Sequence, residues 1–152
     1  MTPLSNNDEK YAANAYTEAC KSQMAMQHGC IAVRSGKIIA KGHNKSRTYS
    51  KDGLIYNSCS CHAEIDVLRK CKKLNITNKL NLYIVRRSID DCYTQSSPCL
   101  DCFETMKKFD IKYIVFSTIT GELYKCSFDK FRSTHETSGR KAILENRVKL
   151  VA

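Results

Sequence analysis

Three features are missing from this sequence, and their absence excludes several classes of protein. No apolar run approaches the roughly 20 residues that a membrane-spanning helix needs, so no membrane partner is expected. Residues 1–7 lack the basic-then-apolar order of a secretory signal peptide, which predicts a cytoplasmic protein. The chain has two prolines and no repeat or low-complexity tract of the kind that marks a linker. Its 152 residues therefore predict one domain, 1–152, with a single core.

Cysteine, by contrast, is abundant, with nine residues in the chain. An odd number cannot all form disulfides, and an intracellular compartment keeps thiols reduced. We therefore expect thiols or metal ligands, most of them buried as small apolar side chains.

The balance of charge is strongly basic. Lysine and arginine number 25 against 15 acidic residues, which leaves a formal net charge of +10. Such a surface favours nucleotides, nucleic acids or acidic partners, and it is equally compatible with a solvated basic face.

Apolar periodicity and turn residues predict helices alternating with strands. The predicted helices are 7–27, 61–72 and 98–109, and the predicted strands are 30–33, 37–40, 80–85, 111–116 and 122–126. Long polar loops cover 42–60 and 86–97, and the basic C-terminal segment 127–152 includes a possible short helix at 142–148. This order predicts an α/β fold whose sheet contains at least one antiparallel pair.

Two short motifs offer the ligands of a metal site. His62 and Glu64 stand at the start of a predicted helix, and Cys99 and Cys102 form a Cys-x-x-Cys pair. Either motif alone is weak evidence, but together they supply one imidazole and two thiolates for Zn²⁺. A catalytic zinc site keeps its fourth position for water, and Glu64 is then available as the proton acceptor.

The neighbouring residues refine this prediction and leave one alternative open. Ser97 is a good N-cap and Pro98 suits the first helical position, which would place both cysteines of the pair in the first turn, where the helix dipole stabilises thiolates. Cys59 or Cys61 could instead supply a fourth ligand and close the site as a structural one.

These residues resemble the signature of the cytidine/deoxycytidylate deaminase superfamily, here His62-Ala63-Glu64 followed by Pro98-Cys99-Leu100-Asp101-Cys102. The resemblance implies a three-layer fold with a central mixed five-stranded sheet flanked by helices. It also implies zinc at His62, Cys99 and Cys102, Glu64 as the proton shuttle, and a homo-oligomer.

The same resemblance suggests which residues bind the substrate. Asn44 matches a family asparagine that contacts the sugar or base, although an ordinary turn residue is an equally good interpretation. The backbone N–H of Ala63 is expected near the base carbonyl, and Ser97 is also expected to contact substrate.

The sequence features that bear on the substrate resemble different subfamilies of deaminase. A histidine ligand resembles deoxycytidylate and nucleic-acid deaminases, whereas the short turn 117–121 resembles the antiparallel ending of cytidine-type enzymes. Arg86 and Arg87 are candidates for binding a phosphate or are simply solvated. The leading hypothesis is hydrolytic deamination of the cytosine of a nucleotide or nucleoside to uracil.

Two other functions remain open. The first is deamination of a base within RNA or single-stranded DNA, which the charge and the loop tyrosines Tyr49 and Tyr56 favour. The second is a non-catalytic, zinc-stabilised interaction module, although a structural zinc has no use for Glu64.

Overall fold

The computed structural model describes residues 3–47, 49–55 and 60–133. Within these ranges the helices are α1 (Asn6–Ala19), α2 (Ala63–Lys73) and α3 (Leu100–Met106). The strands are β1 (Gln27–Arg34), β2 (Lys37–His43), β3 (Leu80–Arg87), β4 (Tyr93–Thr94), β5 (Ile111–Ser117) and β6 (Leu123–Ser127), followed by a short 3-10 turn, Phe128–Lys130. The predicted helix at 142–148 lies outside the described residues, and no helix within them is long and apolar enough to cross a membrane.

The strands form one mixed sheet, as predicted. Its order is β2-β1-β3-β5-β6, with β4 paired to β3, and β3–β5 is the parallel pair. The sixth strand arises because two residues of the polar loop 86–97 pair with the end of β3. β6 returns antiparallel to β5 because the turn between them is far too short for a crossover connection.

Helices cover both faces of the sheet, which gives the three layers. Along β3 the side chains alternate: Leu82 and Ile84 face the larger core shared with α2 and α3, while Tyr83 and Val85 face the core shared with α1. The period-two alternation of a strand therefore decides which residues can reach the candidate site beside α2 and α3.

The first helix is shorter than the predicted 7–27, which is a correction. A capping box joins Ser5 and Asp8 at its start, but the helix ends at Ala19 because residues from Gln27 onward pair with β3. Gly29, which follows the predicted range, lies within β1 directly beneath α1. The other boundaries differ from prediction by smaller amounts, except that α3 covers only the middle of the predicted 98–109.

Candidate active site

The starts of α2 and α3 bring three potential ligands together. His62 is the N-cap of α2, Cys99 is the N-cap of α3, and Cys102 lies in the first turn of α3. The His62 Nδ1 atom is 3.1 Å from Cys102 Sγ and 3.5 Å from Cys99 Sγ. All three ligand atoms lie within 4.8 Å of one another, which is the arrangement that the two motifs predicted.

The N-cap of α3 is Cys99 and not Ser97, so that part of the prediction was wrong. The Cys99 sulfur accepts a hydrogen bond from the Cys102 backbone N–H at 3.5 Å, which is the contact an N-cap hydroxyl usually makes. Ser97 and Pro98 lie before the helix. The cap therefore places a ligand sulfur at the positive end of the helix dipole, which stabilises a thiolate.

The chemistry and spacing of the cluster fit zinc. Ideal tetrahedral bonds of about 2.3 Å to sulfur and about 2.0 Å to nitrogen separate the ligand atoms by about 3.5–3.8 Å. The observed separations are close to these values and need only small side-chain adjustments. Among the described residues Cys61 does not join the cluster, and Cys59, the other candidate fourth ligand, lies outside them. Within the described part of the chain the cluster is thus a three-ligand set, as a catalytic zinc site requires.

Protons are shared unevenly among the three ligand side chains. A hydrogen bond with Cys102, together with nearby His62, lowers the pKa of the Cys99 thiol to about 4. The hydrogen bond with Cys99 and burial raise the pKa of Cys102 well above its ordinary value. Burial acts to lower the pKa of His62, but Cys99 and Glu64 outweigh it and raise that pKa to about 9. Zinc binding must therefore displace protons from this pocket.

Glu64 lies next to the cluster without belonging to it. It is the second residue of α2 and only 4% exposed. Burial raises the pKa of its carboxyl group, and the charge of His62 partly opposes that shift. A buried carboxyl group with a raised pKa can both accept and return a proton, which is the property a general acid–base needs.

The side chain of Asn44 is bound to the backbone. Its Oδ1 accepts the His28 backbone N–H at 3.0 Å, and its Nδ2 donates to the Met26 carbonyl at 2.6 Å. These bonds connect the end of β2 to the start of β1, so the residue has a structural function here. Each amide atom retains capacity for one further hydrogen bond.

Ala63 and Ser97, the other two residues predicted to contact substrate, lie at the start of α2 and in the segment before α3. Ala63 is fully buried as the first residue of α2, a position whose N–H has no partner inside the helix. Ser97 is half-buried in the segment that leads into Cys99. Their contact with substrate stays a prediction.

Sequence reasoning missed His28 as a neighbour of the cluster. It lies opposite Arg86 in the β1–β3 ladder and on the same face as Cys30 of the larger core. Burial, together with the charges of His62 and Arg86, lowers the pKa of His28 to about 4, so its imidazole is neutral at pH 7. The only signal in the sequence was that His28 and Cys30 are two residues apart, which puts them on one face if both belong to a strand. The predicted strand began after His28, so the signal could not be used.

Comparison with known families agrees with this geometry. The model of the cytidine and deoxycytidylate deaminase zinc-binding region matches residues 5–118, about three quarters of the chain. The chain belongs to this family. It is accordingly a hydrolytic deaminase that acts on C–N bonds and uses zinc.

Individual relatives act on different substrates. A guanine deaminase from Bacillus subtilis (strain 168) is 28% identical over 128 residues, which cover 81% of this chain and 72% of that protein. The cytidine deaminase from Burkholderia pseudomallei superposes with a TM-score of 0.63 at 14% identity, covering 88% of this chain and all of that one. The dCMP deaminase of cyanophage S-TIM5, in complex with dCMP and dUMP, gives 0.57 at 22% identity, covering 78% and 85%. The structural similarities establish the deaminase fold.

Proposed function

We propose that this deaminase hydrolyses the exocyclic amine of cytosine in a nucleoside or nucleotide, converting the base to uracil and releasing ammonia. The observation that carries the proposal is the buried Glu64 beside a three-ligand cluster of His62, Cys99 and Cys102. A carboxyl group in that position supplies the proton transfers that a hydrolytic deamination needs.

The proposed mechanism assigns one task to each group. His62, Cys99 and Cys102 would hold the zinc ion, which would supply the Lewis acidity that lowers the pKa of a water molecule. The Glu64 carboxylate accepts a proton from the attacking water and delivers it to the ring nitrogen of the base. Glu64 then takes the remaining proton of that water from the new hydroxyl group on the base and passes it to the departing amine as the exocyclic C–N bond breaks, so that water and cytosine become uracil and ammonia. The Ala63 N–H is proposed to hydrogen-bond the base carbonyl.

The end of the sheet favours a cytidine-type substrate over the substrates of tRNA deaminases. The last two strands within the described residues, β5 and β6, form an antiparallel hairpin joined by a short turn. This ending resembles cytidine-type enzymes, whereas deoxycytidylate and tRNA deaminases usually have a helix and a parallel strand there. The fold-level similarity to the Burkholderia cytidine deaminase is consistent with this choice.

A base within RNA or single-stranded DNA is the second candidate substrate. The net charge of +10 favours a polyanion, and Tyr49 in the loop before α2 is 46% exposed and available for stacking on a base. Tyr56, the other tyrosine of that loop, lies outside the described residues.

A panel of substrates tests these candidates against one another. Zinc-loaded protein is incubated with cytidine, deoxycytidine, CMP, dCMP, guanine and cytosine-bearing RNA and DNA oligonucleotides, with a Glu64→Gln variant as the blank. We expect ammonia and the uracil product from a nucleoside or nucleotide. Ammonia only from the oligonucleotides, or only from guanine, would overturn the proposed substrate.

Two further expectations belong to this proposal. The family resemblance implies a homo-oligomer, which light scattering of the purified protein would measure directly. A cytoplasmic location stays a prediction, and microscopy of the tagged protein would test it.

A further inference from the structure

Two adjacent arginines at the end of β3 point to opposite faces of the sheet. Arg86 continues the series of Leu82 and Ile84 toward α2 and α3, and its cross-strand partner on β1 is His28. Arg87 belongs to the series of Tyr83, which faces α1. Only Arg86 is therefore on the face that carries the metal ligands.

The contacts of the two guanidinium groups differ as sharply as their positions. Arg87 donates from Nε to Asp91 at 2.7 Å and from Nη1 to Gln27 at 2.9 Å. For Arg86 the backbone N–H is bound by Ser117 Oγ at 3.2 Å, but the buried Nε has no hydrogen-bond partner among the described residues. None of the ion pairs within the described part of the chain includes Arg86. An unsatisfied buried donor is costly and calls for a partner that a ligand can supply.

His28 connects Arg86 with Asn44. It is half-buried and lies directly opposite Arg86 in the β1–β3 ladder. The backbone of His28 is in turn bound by Asn44, the residue that matches a sugar- or base-contacting asparagine. Arg86 thus lies beside the end of β1 that Asn44 binds, on the face of the sheet that carries the metal ligands.

We propose that the guanidinium group of Arg86 binds the phosphate of the substrate, which makes the enzyme specific for a cytosine mononucleotide. This inference rests on the function proposed above. A guanidinium group offers parallel N–H donors, here Nε and one Nη, that match two phosphate oxygens. A bound phosphate would satisfy the orphaned Nε and neutralise a charge that the described carboxylates leave unpaired.

The test compares Arg86→Gln with Arg87→Gln, a control with the same change one residue away on the other face. For each protein kcat/KM is measured with CMP and dCMP and with the matching nucleosides. For Arg86→Gln we expect the ratio of monophosphate to nucleoside kcat/KM to fall about 10- to 100-fold, since a charge-assisted hydrogen bond contributes about 1.5–3 kcal/mol. Arg87→Gln should leave that ratio unchanged, and Arg86→Lys should restore it only in part because lysine lacks the fork.

Several outcomes would overturn the inference. An unchanged ratio in Arg86→Gln, or an equal loss with nucleosides and monophosphates, would show that Arg86 does not bind a phosphate. A loss confined to a cytosine-bearing oligonucleotide would identify the phosphate source as a polynucleotide backbone and reject the mononucleotide. If the wild type turned over no cytosine substrate, the proposed function would fail instead. Calorimetric binding of CMP and of inorganic phosphate to wild type and Arg86→Gln would then still test the contact, and equal affinities would reject it.

Discussion

His62 Nδ1 lies 3.1 Å from Cys102 Sγ although the two residues are 40 positions apart in the chain. The contact exists because α2 and α3 begin side by side, so that the N-cap of one helix meets the first turn of the other. Both helix dipoles thus present their positive ends to the same small volume, which favours the thiolates that zinc requires.

Replacement of a ligand should abolish zinc binding. We expect about one zinc per chain in the wild type and strongly reduced zinc in Cys99→Ser and Cys102→Ser, because a site with two protein ligands binds the metal far more weakly. Elemental analysis by mass spectrometry measures the ratio. The matched control is Cys92→Ser, since Cys92 is exposed and outside the cluster. Full zinc occupancy in Cys99→Ser would contradict the ligand assignment.

Glu64→Gln should separate metal binding from turnover. The amide retains the shape of the side chain but cannot accept the water proton, so we expect normal zinc content and a kcat lower by at least about 10²–10⁴-fold. Glu104→Gln on the exposed surface of α3 is the matched control and should keep full activity. Activity of the Glu64→Gln enzyme close to wild type would reject Glu64 as the proton shuttle.

A buried ion pair on the face of the sheet covered by α1, away from the metal ligands, should control stability and not activity. Lys125 Nζ lies 2.9 Å from Asp8 Oδ2, and the Asp8 side chain is only 2% exposed. Lys125→Met leaves that carboxylate buried with fewer partners, so we expect the free energy of unfolding to fall by about 2–4 kcal/mol in urea titrations. Lys107→Met, which breaks an exposed pair, should cost less than about 1 kcal/mol. Equal effects of the two variants would show that burial adds nothing.

Asp8 should also make stability depend on pH in the acid range. Burial acts to raise its pKa, but hydrogen bonds from Tyr83, Ser5 and Lys125 outweigh it, so the pKa in the folded state lies below the ordinary 3.8. A carboxyl group with a lowered folded-state pKa stabilises the protein above its unfolded-state pKa. This contribution is lost as the pH falls through the folded-state value.

The corresponding measurement is a series of urea titrations from pH 6 to pH 2. We expect the stability difference between wild type and Asp8→Asn to be constant above about pH 5 and to shrink below about pH 4. If the stability difference between wild type and Asp8→Asn did not change with pH over the whole series, the lowered pKa of Asp8 in the folded state would be contradicted.

Gly29→Ala should disrupt the packing of α1 on the sheet. A Cβ atom at Gly29 would lie 1.9 Å from the Ala15 carbonyl oxygen and 2.4 Å from the Ala19 backbone nitrogen. Backbone atoms of a helix cannot move aside like a flexible side chain, so we expect a loss of at least about 3 kcal/mol in the free energy of unfolding. Gly36→Ala, where the added Cβ has no neighbour within 4 Å but φ is +76°, should cost only about 1 kcal/mol. A loss at Gly29 no larger than at Gly36 would show that α1 can shift.

The sequence by itself determined the donor set and the alternation of helices and strands. Residue types and short spacings carry that information: a His-x-Glu and a Cys-x-x-Cys define the ligands of a zinc site wherever the chain brings them together. Apolar periodicity likewise identified the existence of α1, α2 and α3, because it reflects which face of each helix is buried.

Only the tertiary structure decided the features that depend on a partner distant in the chain. The start of β1 at Gln27, and with it the end of α1, follows from pairing with β3. The Asn44 side chain is hydrogen-bonded to the backbone of Met26 and His28, at the start of β1. Arg86 and Arg87 look equivalent in the sequence, yet a shift of one residue in strand register would exchange their faces. Register is set by packing of the whole sheet between two layers of helices, and local sequence does not contain it.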